Sequence, residues 1–366
     1  MIAGKTPESK LLFVLMFKTR VNLSLRANLS EGGFEMAAKK PDQSYERYFT
    51  DKPAQAKGDL GPIGQLTGKW EAKGTGWNMI ALPFKDAPKS AAAPFRILMN
   101  QYDEVLEFAF VDDNVPNRGV AVDQRVATID YQQQINQIAA DDFPASGEAG
   151  PVGLAIHHEP GLWIWVKDNR TDGIDVARLA SIPHGNAILA LGESSEHEAM
   201  PDIPPMNALP FGRFEDLRTP GYDVDFDPYL KPYKHYIDNP FMGTVTGVSG
   251  FPGFNPADMT EILRFANKGV DIVKTTRLHV DSKREDAGIR NMPFTVREAE
   301  PVSMASTFWI QQVADKRYKS GYRLRLQYAQ VVMLDFFRPR EDQQPGRAQW
   351  PHISIATLDK VEGEGA

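Results

Sequence analysis

The chain contains no cysteine among its 366 residues. Disulfide bonds, thiolate nucleophiles, zinc–thiolate sites and iron–sulfur clusters are therefore excluded by residue inventory. Histidine is also scarce, with seven copies. A metal site in this chain would have to draw its ligands from these histidines or from Asp, Glu, Tyr and Met side chains.

An excess of positive charge is absent as well. The formal net charge is −7, which argues against nucleic acid or an anionic membrane as the main partner. No apolar run approaches the roughly 20 residues that a membrane-spanning helix needs. The apolar stretch Leu11–Phe17 is followed at once by Lys18 and Arg20, without a small-residue cleavage site, so it does not match a signal peptide. We expect a cytoplasmic protein without a membrane span.

Common catalytic signatures are missing too. The sequence has no P-loop, no Gly-x-Gly-x-x-Gly, no His-Glu-x-x-His, no Gly-x-Ser-x-Gly and no EF-hand loop. It also shows no internal repeat of fixed period. With 42% hydrophobic and 24% charged residues, the chain can still build a sizeable globular core. The function therefore has to be argued from the fold and from individual polar residues.

Patterns typical of β-strands dominate the chain from Leu60 onward. Short stretches rich in Val, Ile, Phe, Tyr, Trp and Thr alternate with Gly, Pro, Asn and Asp. About ten strands with hairpin-sized gaps predict an all-β fold, either one antiparallel barrel or a pair of packed sheets. The predicted strands lie near Gly68–Leu82, Phe95–Gln101, Val105–Val111, Ala127–Ile138, Gly153–His158, Leu162–Val166, Val176–Ile182, Ala187–Leu191, Val270–Asp281, Met304–Val313, Tyr322–Phe337 and His352–Val361.

One helix and one long loop interrupt this pattern. Asn255 and Pro256 supply an N-cap and a first-turn proline, and Gly269 can end the helix. The segment 192–254 has many Pro, Asp and Tyr residues and little periodicity, which predicts a lid, a binding loop or a partly disordered insertion.

The first 58 residues are expected to lie outside the fold. Ala37–Asp59 is polar and shows neither a helical nor a strand period. The stretch Glu31–Gly33 lies just upstream of Met36 and can be encoded by purine-rich codons that resemble a ribosome-binding site. We therefore predict that residues 1–58 are a disordered or mis-annotated extension and that one β-barrel domain spans residues 59–363.

The predicted first strand carries a resemblance to a known family. It reads LTGKWEAKGTGW over Leu66–Trp77, and its glycines can bend the strand while Trp70 seals one end of a barrel. This pattern resembles the opening of the calycin barrels, which include lipocalins and fatty-acid-binding proteins, and especially the nitrobindin-like haem-binding barrels. In the latter, a histidine that opens the last strand is the proximal haem ligand. The matching residue is His352 in the stretch WPHISIATL.

Two adjacent histidines, His157 and His158, occur in the stretch IHHEPGLWIWV. Pro160 and Gly161 favour a turn, so we predict a hairpin here. Neighbouring strand residues point to opposite faces, so the two histidines cannot share one internal metal ion. With a two-residue loop, His157 faces the barrel interior with the aliphatic side chains and His158 packs on the tryptophan face; a longer loop would exchange the two.

Each of these histidines has two interpretations: an inward haem ligand, metal ligand or general base, or a residue at the barrel rim that satisfies a loop carbonyl. His184, in the turn of SIPHG, has the same two interpretations. Arg118 in PNRG is either solvated or a clamp for a ligand carboxylate or haem propionate. The candidate cofactor-binding residues are His352, His157, His158, His184, Arg118 and Trp70, and the candidate metal ligands are His352 and His157.

Amide side chains on the predicted strands are a second candidate group. They are either polar positions inside a ligand-holding barrel or a row of outward-facing amides. The residues are Gln132, Gln134, Gln311, Gln312, Gln327 and Gln330.

These observations lead to one main hypothesis and two alternatives. The main hypothesis is a single calycin-like antiparallel β-barrel that binds a hydrophobic small molecule, with haem as the leading candidate through an axial histidine and with peroxidase-like, nitric-oxide or peroxynitrite chemistry. The first alternative is a carrier of a non-haem lipid or isoprenoid-like ligand. The second is a cofactor-free enzyme that uses a histidine and an acid such as Glu159 or Asp335 as a proton-transfer pair.

Overall fold

The computed structural model of the protein describes residues 58–84, 95–121, 123–167, 173–182, 184–210, 230–339 and 347–361. These residues belong to one compact unit, Asp51–Ala366. The predicted N-terminal extension, residues 1–58, lies outside the described residues apart from Gly58.

Eleven strands contain most of the residues that the structure describes. Their bounds are β1 Gly68–Pro83, β2 Phe95–Asn117, β3 Gln124–Phe143, β4 Ala155–Val166, β5 Val176–Ile182, β6 Asn186–His197, β7 Ile272–Asp281, β8 Gly288–Asn291, β9 Glu300–Ala314, β10 Tyr322–Pro339 and β11 Arg347–Lys360. The predicted strand pairs at 95–111 and 153–166 are each one continuous strand, β2 and β4.

Ten of these strands form a closed antiparallel barrel. Apart from β8, each strand pairs with its neighbour in the chain, β11 pairs with β1, and the β5–β6 pairing lies within the same closed ring. The short strand β8 is an additional strand that pairs with β6. The prediction of one antiparallel barrel of about ten strands is therefore confirmed, because hairpin-length connections place successive strands side by side.

The predicted hairpin at Pro160–Gly161 is wrong. Strand β4 runs straight through these residues, and β3 pairs with it in unbroken register from Gln133 opposite Glu159 to Tyr131 opposite Gly161. The glycine is required by close packing: a Cβ at Gly161 would lie 2.2 Å from the carbonyl oxygen of Leu179. A Pro-Gly pair that looked like turn chemistry is thus the place where two strands approach each other closely.

Within the described residues, three short α-helices accompany the barrel, where the sequence predicted one. They are α1 Lys231–Asp238, α2 Glu261–Asn267 and α3 Pro293–Glu298. The predicted helix corresponds to α2, but its N-cap is Thr260, and Asn255 instead accepts a hydrogen bond from the backbone of Ala257. Within the described part of the chain, no helix is long and apolar enough to cross a membrane.

One end of the barrel is filled with apolar side chains. Trp70 is fully buried there, and its indole N–H donates to the carbonyl oxygen of Leu66 at 2.6 Å. That carbonyl belongs to a 3-10 helix, Gly61–Leu66, whose Ile63 and Leu66 are also fully buried. This end is called the closed end below, and the packing agrees with the sealing position expected for Trp70.

A second apolar cluster lies on the outer face of the barrel. Outward residues such as Trp77 on β1 and Trp309 on β9 pack with Tyr233 of α1, Leu263 of α2 and Phe254. The segment predicted as one long loop therefore contains the end of β6 and α1, and its described residues cover the outer wall. None of these described residues lines the cavity described below.

The outer cover also explains several strand amides. Gln327 donates to the carbonyl oxygen of Leu263 at 3.1 Å, and Arg325 donates to that of Ala266 at 3.1 Å. Gln311 bonds to both side chains, so these groups connect β9 and β10 to backbone carbonyls of α2. By contrast, Gln132 and Gln134 are exposed on the outer face of β3.

Candidate functional site

A cavity of about 510 Å³ occupies the other end of the barrel, called the mouth below. This volume lies in the range of small-molecule sites. Its outer part is lined by apolar side chains, which are Ile80, Leu82, Leu98, Ile156, Ile182, Ile188, Val332 and Leu334. Helix α3 and the connection between β3 and β4 also contribute residues to the lining, including Phe294 and Leu154.

A belt of polar side chains lies below this apolar wall. Cross-strand pairing places Asn100 opposite Asn78, Asn78 opposite Ser354, Ser354 opposite Gln330 and Gln330 opposite Ser306. Because facing residues of paired strands share one side of the sheet, these five form a continuous row on the inner face of β2, β1, β11, β10 and β9. We call them the polar belt; all except Ser306 line the cavity.

Three histidines line the cavity: His157, His184 and His352. The rings of His157 and His184 are 6.4 Å apart, measured between centroids. His352 Nε2 lies 3.4 Å from the amide nitrogen of Asn78. The fourth candidate, His158, is exposed on the outside of β4, as the alternation of a straight strand requires. His157 shares the inner face with Glu159 and Trp163 and not with the aliphatic residues, which corrects the expected environment.

Two of the cavity histidines, His352 and the more exposed His184, are held in the neutral form at neutral pH. Burial lowers the pKa of His352 to about 4, with smaller contributions from His157 and His184. Burial also lowers the pKa of His184, helped by the nearby His157. A neutral imidazole offers one N–H donor and one lone pair, so His352 and His184 can both donate and accept at neutral pH.

Below His157 lies a network that we call the ionic network: His157, Glu159, Arg178, Tyr131 and Gln330. His157 Nε2 is 3.2 Å from Glu159 Oε2, and an Arg178 nitrogen donates to Glu159 Oε1 at 2.7 Å. The Tyr131 hydroxyl also donates to Glu159 and accepts from Arg178 Nε at 2.9 Å. Arg178 donates in addition to Gln330 Oε1 at 2.7 Å. The arrangement joins a cavity histidine to a buried carboxylate–guanidinium pair.

The carboxylate of this network is ionised. Glu159 is only 1% exposed, and burial by itself would raise its pKa. Arg178, His157 and the Tyr131 hydroxyl outweigh burial and hold the pKa of Glu159 at about 2. Glu159, one of the two acids that the enzyme hypothesis offered, is thus in contact with a histidine, but its charge is already neutralised by an arginine.

A second buried network, called the neutral network, consists of Glu104, Gln133, Tyr328 and Tyr102. Gln133 donates to Glu104 Oε1 at 2.7 Å, and Tyr328 donates to Glu104 Oε2 at 2.8 Å. The Tyr102 and Tyr328 hydroxyls are 2.8 Å apart. Burial raises the pKa of Glu104 to about 7, because these neutral hydrogen-bond partners compensate only part of the loss of hydration.

Other sequence candidates lie away from the cavity. Trp70 is in the core of the closed end, and Arg118 is exposed in an ion pair with Asp123 at 2.6 Å. Asp335 does not line the cavity. Among the described residues, no group of three or more His, Asp or Glu side chains is arranged to hold a metal ion. A metal role for His352 and His157 therefore remains a prediction.

The sequence reasoning missed Glu104 and Arg178. Both residues occupy inward positions in strands whose residues alternate between the two faces of the sheet. On β2, for example, Tyr102 and Leu106 flank Glu104 on the inner face. A charged residue at an inward position was the available signal, because such groups are buried only when paired or neutralised.

Comparison of the sequence with known protein families found no matching family model, and comparison with curated proteins found no match.

Proposed function

We propose that the protein binds a small, mainly apolar molecule in the cavity of its barrel. The observation that carries this proposal is the layered lining: an apolar wall at the mouth above a polar belt across five strands. Apolar walls provide affinity through removal of surface from water, and a few convergent polar groups fix the orientation of a ligand.

The test is binding of diphenylhexatriene, an uncharged hydrocarbon probe that fluoresces in apolar surroundings. Val332 lines the cavity, so Val332→Trp should fill part of it and weaken binding by about tenfold. Val273→Trp is the matched control, because Val273 is 42% exposed on β7 and should leave binding unchanged. Equal weakening by both variants, or no binding to the unmodified protein, would contradict the proposal, and a urea midpoint for each variant confirms folding.

Haem is the second candidate ligand, favoured by the three histidines at the cavity. His352, kept neutral by burial, has the lone pair that an axial ligand needs, and His157 or His184 would lie nearby. The lining contains no Lys or Arg among the described residues, so the haem carboxylates would have to lie at the mouth in solvent. The described lining could therefore supply a histidine ligand for the haem iron, but it has no cationic side chain that could bind the haem carboxylates.

Hemin titration tests this candidate. A Soret band that shifts in His352→Ala or His157→Ala, while His158→Ala on the outer face behaves as wild type, would support haem as the ligand. If hemin keeps the spectrum of free hemin in the presence of the folded protein, haem is excluded as the ligand. The proton-transfer enzyme and the cytoplasmic location remain predictions of the sequence.

A further inference from the structure

We propose that the polar head of the ligand is an uncharged hydrogen-bond donor, the hydroxyl of a long-chain or polycyclic alcohol. This inference rests on the proposed function and specifies its ligand class. It follows from the identity of the polar atoms that the cavity offers and from the charges that its lining lacks.

The first observation is a pair of buried acceptors. Asn78 and Asn100 face each other on β1 and β2, and both line the cavity. Within the described part of the chain, the side-chain oxygen of each is buried without a hydrogen-bond partner, and Asn100 is only 3% exposed. A buried acceptor left without a donor is unfavourable, because it has lost its hydrogen bonds to water without gaining others. Two such acceptors on facing strand positions therefore favour a ligand that brings a donor.

The orientation of the Asn78 side chain also favours a ligand that donates a hydrogen bond. Its amide nitrogen lies toward His352 Nε2 at 3.4 Å, so its oxygen is turned to the other side. Ser354 stands opposite Asn78 on β11 and lines the cavity. A ligand hydroxyl at this position would donate to an asparagine oxygen and accept from the serine hydroxyl, which uses both hydrogen-bonding capacities of an alcohol.

The second observation is the charge around the cavity. No Lys or Arg is among the described residues that line it. Arg178, whose guanidinium contacts the lining residue Gln330, is buried and already bonded to Glu159 and Tyr131 as well, and Arg96 is paired with Asp142. A ligand carboxylate at the polar belt would be buried without a counter-ion, which is strongly unfavourable.

An ammonium head group is disfavoured for the corresponding reason: the buried carboxylates near the cavity are not free to pair with it. The carboxylate of Glu159 is neutralised by Arg178, and Glu104 lies behind Gln133 and Tyr328 and is not part of the lining. Glu148 does line the cavity, but its side chain is 68% exposed at the mouth and lies 3.5 Å from Arg96. The polar belt is therefore uncharged, and its acceptors fit a neutral donor.

The experiment is displacement of diphenylhexatriene by a matched twelve-carbon series: dodecan-1-ol, dodecanoate and dodecylammonium, each below its micelle concentration. We expect the alcohol to displace the probe at about tenfold lower concentration than either ion. Equal or tighter binding of dodecanoate or dodecylammonium would overturn the inference while leaving the proposed function intact. So would probe binding without displacement by any of the three; failure of the probe itself to bind would overturn both.

A variant pair locates the effect. Asn100→Leu removes one acceptor with little change in volume and should weaken dodecan-1-ol binding about fivefold without weakening the hydrocarbon probe. Gln134→Leu, on the exposed face of β3, is the control and should change neither affinity. Parallel loss of probe and alcohol in a folded Asn100→Leu protein would argue against a hydroxyl at the belt, and the wild-type series decides the question if that variant does not fold.

Discussion

Glu104 and Glu159 are two buried acids below the same cavity, and they behave in opposite ways. Each is 1% exposed, yet the pKa of Glu104 is raised to about 7 while that of Glu159 is lowered to about 2. Gln133 lies between them, since it bonds to Glu104 and stands opposite Glu159 in the β3–β4 register. Both acids are equally buried, so the difference between their pKa values comes from their hydrogen-bond partners.

The partners divide the floor of the cavity into two halves. Glu159 has a guanidinium at 2.7 Å, whereas Glu104 has a carboxamide at 2.7 Å and a phenol hydroxyl at 2.8 Å. A charged partner can offset the loss of hydration, and neutral donors offset only part of it. Ion pairing keeps the half with Glu159 electrically neutral, whereas the half with Glu104 is neutral only at pH values below about 7, where Glu104 is protonated.

The largest expected effect comes from removing the cation of the ionic network. Arg178→Met leaves Glu159 buried with no guanidinium and should lower the free energy of unfolding by about 3–5 kcal/mol. Urea denaturation near neutral pH measures this. The double variant Arg178→Met, Glu159→Gln should recover part of the loss, because no charge then remains buried. A loss below about 1 kcal/mol in the single variant would show that the guanidinium does not control Glu159.

The second prediction concerns the neutral network and pH. The folded pKa of Glu104, about 7, exceeds its ordinary value of 4.5, so the folded state binds the proton more tightly. That stabilisation is complete at low pH and is lost as pH rises through the folded pKa. Relative to Glu104→Gln, wild type should lose about 3 kcal/mol of unfolding free energy from below pH 4.5 to above pH 7.

Chemical denaturation across that pH range measures the difference between wild type and Glu104→Gln. Glu107→Gln is the control, because Glu107 lies on the same strand and is exposed. Parallel stability curves for wild type and Glu104→Gln would refute the raised pKa of Glu104.

A matched pair of tyrosine substitutions has a smaller expected effect. Tyr328→Phe removes a donor to Glu104, and Tyr131→Phe removes a donor to Glu159. Each should cost about 1–2 kcal/mol in stability. The pKa of Glu104 should rise further in Tyr328→Phe. In Tyr131→Phe, by contrast, Glu159 should stay ionised because Arg178 remains beside it. Nuclear magnetic resonance of the glutamate carboxyls checks this, and equal pKa changes in the two halves would contradict the proposed role of the cation.

The smallest expected effect is that of His157→Gln. His157 contacts Glu159 at 3.2 Å, but Arg178 and Tyr131 remain as partners of the acid. We expect a loss of about 1 kcal/mol or less in unfolding free energy. His158→Gln, on the exposed side of the same strand, should be neutral within about 0.5 kcal/mol. A loss from His157→Gln as large as that from Arg178→Met would make the histidine the main partner of Glu159.

The fold could be predicted because strand periodicity is a local property of the sequence. Stretches such as Tyr322–Phe337 show their length and apolar character without reference to the rest of the chain, and hairpin-sized gaps then favour antiparallel neighbours. The error at Pro160–Gly161 arose because a turn and a close strand approach use the same residue types. The distinguishing contact, between Gly161 and the backbone of Leu179, is tertiary.

The site could be predicted only in part. Expected turns led to His157, His184 and His352, and all three line the cavity, but only His184 adjoins a turn in the structure, because Pro160–Gly161 lies within β4 and His352 within β11. The two networks were not recognisable, since Arg178 and Gln330 are 152 positions apart and Tyr328 and Glu104 are 224 apart. Such pairings depend on barrel closure and register, which single-sequence patterns do not specify.

The pairing of β1 with β11 has a consequence for how the protein acquires its site. Nine of the ten barrel seams join strands that are consecutive in the chain or separated only by β8, whereas the β1–β11 seam joins its two ends. Loop-closure entropy makes this seam the most costly to form, so it should be the slow step of folding. Asn78 and Ser354 face each other across this seam, so a ligand bound to both would stabilise the β1–β11 pairing and with it the closed barrel.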